Sequence, residues 1–146
     1  MARKPFSQKQ HDQDDGPAKE VVAKYISRRW GMVATENDDQ YGVDLLCHKD
    51  QKLVGCVEVE RRHSWLGVFT FATVHVPARK RKFFEDQTAS VIFSVRSDLR
   101  QAMWTRGQNV LGSPVIHIDN KECNDEDFFD VPLDKWKLVD LLKGEK

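Results

Sequence analysis

Residues Tyr41–Glu60, YGVDLLCHKDQKLVGCVEVE, decide how the chain is read. Two apolar runs of strand length, VDLLC and LVGCVEV, flank HKDQK, whose Asp50-Gln51-Lys52 is polar and turn-compatible. The segment is therefore expected to form a β-hairpin. Side chains alternate along a strand, so Glu58 and Glu60 share one face and Val57 and Val59 the other, the expected core face. Asp44, near the start of the first strand, brings a third acid to the neighbourhood. Carboxylates held this close repel one another and need compensation.

Two compensations fit. The acids can face water on an edge strand, where they discourage unwanted pairing. Alternatively they hold a divalent cation, and an oxygen-only donor set suits Mg²⁺ or Mn²⁺ rather than zinc. Asp44, followed fourteen residues later by Glu58-Val59-Glu60, resembles the motif of the PD-(D/E)XK nuclease superfamily, an Asp and then acid-x-Lys in the next strand. Asp44 and Glu58 match its first two positions. Glu60 stands where that family usually has Lys, as in some relatives that carry Glu there, and Gly42-Val43 stands where its Pro would be.

The resemblance, which runs roughly from Gly16 to Ile118, implies a restriction-endonuclease-like or Holliday-junction-resolvase-like fold and metal-dependent cleavage of DNA, in duplex, branched or single-stranded form. It implies that Asp44, Glu58 and the backbone carbonyl of Val59 hold Mg²⁺ or Mn²⁺, and that Glu60 orients or deprotonates the attacking water. It implies a Glu on the first helix, for which Glu20 is the matching position, holding a second ion or a water of its shell. It also implies a displaced lysine on the helix after the motif strand, and Lys80 and Lys82 both qualify. Arg61, Arg62, Arg79, Lys80, Arg81 and Lys82 are the expected contacts to flanking phosphates, and cutting both strands of a duplex suggests a homodimer. The alternative is a protein that keeps this fold without hydrolysis and binds nucleic acid or a protein partner. A third reading, an interaction module from a phage or mobile-element repertoire, rests on size alone.

At 146 residues the chain fits one domain, and 40% hydrophobic with 32% charged residues is ordinary for a globular protein. No apolar run approaches a membrane span and no signal-peptide core precedes the first helix, so an intracellular, cytoplasmic location is expected. The odd number of cysteines, Cys47, Cys56 and Cys123, lacks C-x-x-C spacing and suggests reduced thiols. Zero net charge hides segregation: residues 36–60 hold seven acids and two bases, residues 61–106 nine bases and three acids. Cations on the first and substrate phosphates on the second would suit a phosphodiester-cleaving site. Residues 119–146 return to nine acids against five lysines, an improbable nucleic-acid surface.

Residues 1–15 lack periodicity and read as a flexible arm, leaving 16–146 as one α/β domain with a mixed central sheet flanked by helices. Pro17 opens a helix whose apolar stripe, Ala18, Val21, Val22, Tyr25 and Ile26, runs to Trp30, with Gly31 ending it. Within it Glu20 is also placed to pair with Lys24 one turn later. Met32–Thr35 reads as a strand, and Asp38 and Asp39 as solvated turn acids. Beyond the hairpin, His63 reads as a surface residue and the run ending at Pro77 as a strand. A zinc site from Cys47, His48, Cys56 and His63 matches no usual ligand spacing. Ala78–Phe84 reads as a short helix with Phe83 and Phe84 in the core and four cations outward. ASVIFSV, 89–95, is the expected central strand, Gln101–Thr105 another, and VIHI, 115–118, the strand that closes the sheet around a half-buried His117. Asp134 is expected to cap a last helix reaching Leu142, with Trp136, Val139 and Leu142 inward.

Overall fold

The computed structural model describes residues 16–39, 42–85, 89–118 and 126–142. The expected arm 1–15 and most of the acidic loop that begins at Lys121 lie outside the described residues. Helix α1 (Gly16–Trp30) is followed by β1 (Val33–Glu36), β2 (Leu45–Lys49), β3 (Lys52–Arg62) and β4 (Thr73–Pro77). A 3₁₀ turn (Ala78–Lys80) leads into α2 (Arg81–Glu85), then β5 (Ser90–Arg96), β6 (Gln101–Arg106) and α3 (Gly107–Leu111). The chain continues through β7 (Val115–Ile118), β8 (Glu126–Pro132), a second 3₁₀ turn (Leu133–Lys135) and β9 (Lys137–Asp140).

A six-stranded sheet in the order β1-β2-β3-β5-β6-β9 carries the fold. β3 and β5 run parallel at its centre and every other neighbouring pair is antiparallel, so the sheet is mixed as expected. Strand alternation then builds two cores. Val57 and Val59 of β3, Phe93 and Val95 of β5 and Ala102 of β6 face α1, where Ala18, Val22, Tyr25 and Ile26 cover them. Tyr25 and Trp30 meet Phe93 edge-on or tilted at 6.0 and 5.5 Å, and Trp30 stands 5.0 Å from Trp104. Such aromatic pairs add about 0.5–1.5 kcal/mol each beyond burial and fix the rotation of α1. Ile92 and Met103 point to the opposite face, against a second sheet in the order β4-β8-β7 together with Phe84 and Val110 of the short helices.

The hairpin closes through Asp50 and Gln51, whose φ values of 52° and 66° make a two-residue turn of the kind that matches strand twist. Gly31, at φ 68°, ends α1 where a side chain would be strained. Among the described residues no helix is long and apolar enough to cross a membrane.

Three expectations are corrected. VIHI does not close the main sheet: Val115 pairs with Phe129 of β8 in the second sheet. His117 is exposed there, 2.7 Å from Asp127. Residues Asp134–Leu142 form no α-helix beyond the 3₁₀ turn that ends at Lys135, because the outer edge of β6 carries backbone groups that need partners beside the buried Ala102 and Met103. β9 supplies them, from Gln101↔Asp140 to Trp104↔Lys137, and Leu142 stays exposed. Finally, only Phe84 of the Phe83-Phe84 pair is fully buried, and the four cations beside it do not all face out.

Candidate active site

The last rung between β2 and β3 pairs Leu45 with Val57. One step further, where β2 has ended, the Asp44 carboxylate replaces the strand: Val59 N–H donates to Asp44 Oδ2 at 2.8 Å. In return Asp44 N–H donates to Glu58 Oε2 at 2.9 Å. The two acids are thus locked side by side by each other's strand. Val59 presents its carbonyl on the same side as its N–H, as any strand residue does, so that oxygen also faces the Asp44 side.

Each carboxylate meets an ammonium. Lys80 Nζ lies 3.0 Å from Glu58 Oε1, and Lys19 Nζ lies 3.2 Å from Asp44 Oδ1. Glu58 is 3% exposed and Lys19 8%, so these are buried ion pairs whose desolvation is offset only by close contact. Burial pushes the Glu58 carboxyl up to about 7; the Asp44 charge adds to the rise, while Lys80 opposes it. Burial alone would pull the Lys80 ammonium down, but Glu58, Glu60 and Asp44 together hold it well above the ordinary lysine range. Lys80 is therefore a fixed cation and not a proton acceptor.

The structure brings Asp44, Glu58, Val59 and Lys80 together and chooses Lys80 over Lys82. Ala78–Lys80 is a 3₁₀ turn and the α-helix starts only at Arg81, so Lys80 turns inward while Lys82 stays exposed against the Phe83 ring. Glu60 borders the site on the same face, 3.4 Å from Arg62. Glu20 does not enter it. It points outward and pairs with Lys24 at 3.2 Å, because the packed stripe of α1 turns that position to solvent. Its neighbour Lys19 enters instead and was not anticipated. The signal existed: positions 19, 22 and 26 share a helical face, and Val22 and Ile26 are core.

The expected phosphate contacts divide. Arg61 donates through Nε (3.1 Å) and Nη2 (2.6 Å) to the Ser97 carbonyl, bracing the β5–β6 turn. Arg62 donates to the His75 carbonyl, tying the main sheet to the second. Both are tied into the framework, half-buried at the end of β3. Arg79, Arg81 and Lys82 remain on the outside, with Arg79 3.2 Å from Glu126 and Arg81 over the Phe129 ring. Asp38 and Asp39 are exposed, and Asn37 Oδ1 accepts from Asp39 N–H in a local turn. Cys47 is buried on the α1 side; burial, with Cys56 adding, raises its thiol to about 11, as suits an inert reduced cysteine.

The donor set fits a hard cation. Each of the four carboxylate oxygens meets an N–H, and a carboxylate oxygen has two lone pairs with which to accept. Among the described residues no three His, Cys, Asp or Glu side chains converge on one point. The remainder of a shell would fall to the Val59 carbonyl, water and phosphate oxygens, as is usual for Mg²⁺. No protein-family model matches the chain, and no curated protein matches it.

Proposed function

We propose that the chain is a metal-dependent nuclease of restriction-endonuclease-like fold that hydrolyses phosphodiester bonds in DNA. The observation that carries this reading is Lys80 on Glu58 beside Asp44: a lysine from the following element stands where Glu60 leaves the motif without one. Asp44, Glu58 and the Val59 carbonyl would hold Mg²⁺ or Mn²⁺. Such an ion, when bound, acidifies a water and neutralises charge on the scissile phosphate. Lys80 would donate to the attacking water or a phosphate oxygen, its permanent charge stabilising the developing negative charge. Lys19 fixes the Asp44 carboxylate, and Glu60 sustains the charge on Lys80. Arg79, Arg81 and Lys82, on the turn that delivers Lys80, would contact flanking phosphates.

Cleavage of supercoiled plasmid, single strands and a branched junction with Mg²⁺ or Mn²⁺ tests this. Loss of cleavage by at least about a hundredfold in Asp44→Asn, Glu58→Gln and Lys80→Ala is expected. Folded wild-type protein that cuts none of them with either metal would instead favour a binding protein that keeps the nuclease fold. One observation supports that second reading: both carboxylates already carry ammonium partners, so the cluster is compensated without a metal.

A further inference from the structure

A cavity of about 580 Å³ opens on the sheet face that carries Glu58 and Glu60, displaced toward β6 and β9. Trp65, Phe69 and Trp136 contribute its aromatic surface and Arg96 and Gln101 its polar groups. Trp65 is held in place, its indole N–H donating to the Gly67 carbonyl at 2.7 Å and its own carbonyl accepting from Ser97 N–H at 2.9 Å. Phe69 meets it edge-on, ring centroids 5.5 Å apart. Trp136 is 9% exposed, and its indole N–H has no acceptor among the described residues. That N–H is sealed within the protein, so it is the ring that Trp136 offers to the cavity.

The polar groups narrow the ligand class. Arg96 donates through Nε and Nη2 to both Asp98 oxygens at 2.8 Å, and through Nη1 to Gln101 Oε1 at 2.9 Å. Its charge is neutralised, so the cavity is unsuited to a phosphate or carboxylate. Gln101 is turned so that its oxygen is occupied and its amide NH₂ is left to donate. Flat aromatic walls with one neutral amide donor match a planar heterocycle whose edge bears an acceptor. Its placement agrees. Glu58, Glu60, Arg96 and Met103 project from one face, with Glu60 paired to Ser94 and Ser94 to Met103. Two strand spacings separate β3 from β6, so the cavity begins on the order of 10 Å from the acidic pair. At roughly 3.4 Å per stacked nucleotide, that is a few nucleotides of strand.

We propose that this cavity takes a single nucleobase, unstacked from the strand whose phosphate lies at Asp44 and Glu58. The strand's presence rests on the nuclease reading; the base pocket itself does not. The test uses the full chain, without metal and with chelator, and a single-stranded oligonucleotide carrying 2-aminopurine or an abasic site tiled through successive positions. At one position, wild-type protein should prefer base over abasic by about tenfold and change the 2-aminopurine fluorescence. Phe69→Ala, which removes part of the aromatic wall, and Gln101→Ala should each shrink that preference severalfold. Leu138→Trp, a filling change from the exposed edge strand, should abolish it with folding intact by circular dichroism. Equal affinity for base and abasic strands at every position overturns the pocket, and would leave the cavity to an apolar partner side chain. Preference without cleavage by either metal would uphold the pocket and sink the nuclease reading; cleavage without preference would do the reverse.

Discussion

Lys80 Nζ reaches Glu58 Oε1 at 3.0 Å from an element that follows a different strand, and both side chains are largely buried. The pair joins the 3₁₀ turn after β4 to the centre of the main sheet, so the site and the docking of its second layer are one interaction. Breaking one half of such a pair strands the other.

Lys80→Met should therefore destabilise the fold by about 3 kcal/mol at pH 8, where Glu58, its carboxyl driven higher without the lysine, must either stay ionised beside Asp44 or take up a proton against the pH. At pH 5.5 the loss should be smaller, because Glu58 can take up a proton. Glu58→Gln in the same chain should recover most of the loss. Urea unfolding of the two single variants and the double at both pH values measures this. An equal loss at both, with no recovery, would mean that Lys80 contributes packing and not charge.

The wild type has its own pH signature. The folded Glu58 carboxyl, at about 7, lies above its ordinary 4.5, so the native state binds more protons between these values. Its contribution is fully present below about 4.5 and is lost as pH rises through 7, by about 3 kcal/mol at most. Lys80 does not offset this, since its raised value acts only above the ordinary lysine range. Glu58→Gln should flatten the difference in unfolding free energy between pH 4.5 and 8. A variant curve parallel to wild type would assign the slope elsewhere.

If Mn²⁺ binds at Asp44 and Glu58, it must displace that proton. Titration calorimetry at pH 6 in two buffers of different ionisation enthalpy should show release of close to one proton per ion, falling toward zero at pH 8.5. Glu58→Gln should abolish the buffer dependence. Binding with no proton release at pH 6 would place the ion elsewhere.

What could be read from the sequence was what is local. The hairpin, α1 and the central β5 follow from alternation, helical spacing and an apolar run, each visible within a dozen residues. β9 and the second sheet depend on which distant edge needs pairing, and nothing in WKLVD records that β6 requires a neighbour. In the site, Asp44 and Glu58 were legible because strand register alone brings them together. Lys80 could not be separated from Lys82, since the turn holding it is 3₁₀ and helical spacing misplaces its side chains. Glu20 was expected from resemblance, although the spacing of Val22 and Ile26 already favoured Lys19 for the inward face.

Those two neighbours on α1 give the sharpest comparison. Glu20 forms an exposed i,i+4 pair with Lys24, a contact of the kind that adds a few tenths of a kcal/mol. Glu20→Ala should leave cleavage and Mn²⁺ affinity unchanged and stability within about 0.5 kcal/mol. Lys19, 10% exposed along its side chain, holds Asp44 Oδ1 at 3.2 Å while Val59 N–H holds Oδ2, and together they set the plane of that carboxylate. Lys19→Met keeps the apolar stem but frees one oxygen, so the carboxylate loses its fixed orientation. Metal affinity and cleavage should fall together, by about tenfold or more, as when a group orienting a metal ligand is lost. Lys19→Arg, which keeps the charge, should retain part of both. Calorimetric Mn²⁺ titration and plasmid cleavage on the three variants decide it: a larger loss for Glu20→Ala than for Lys19→Met would reverse the assignment of the inward face.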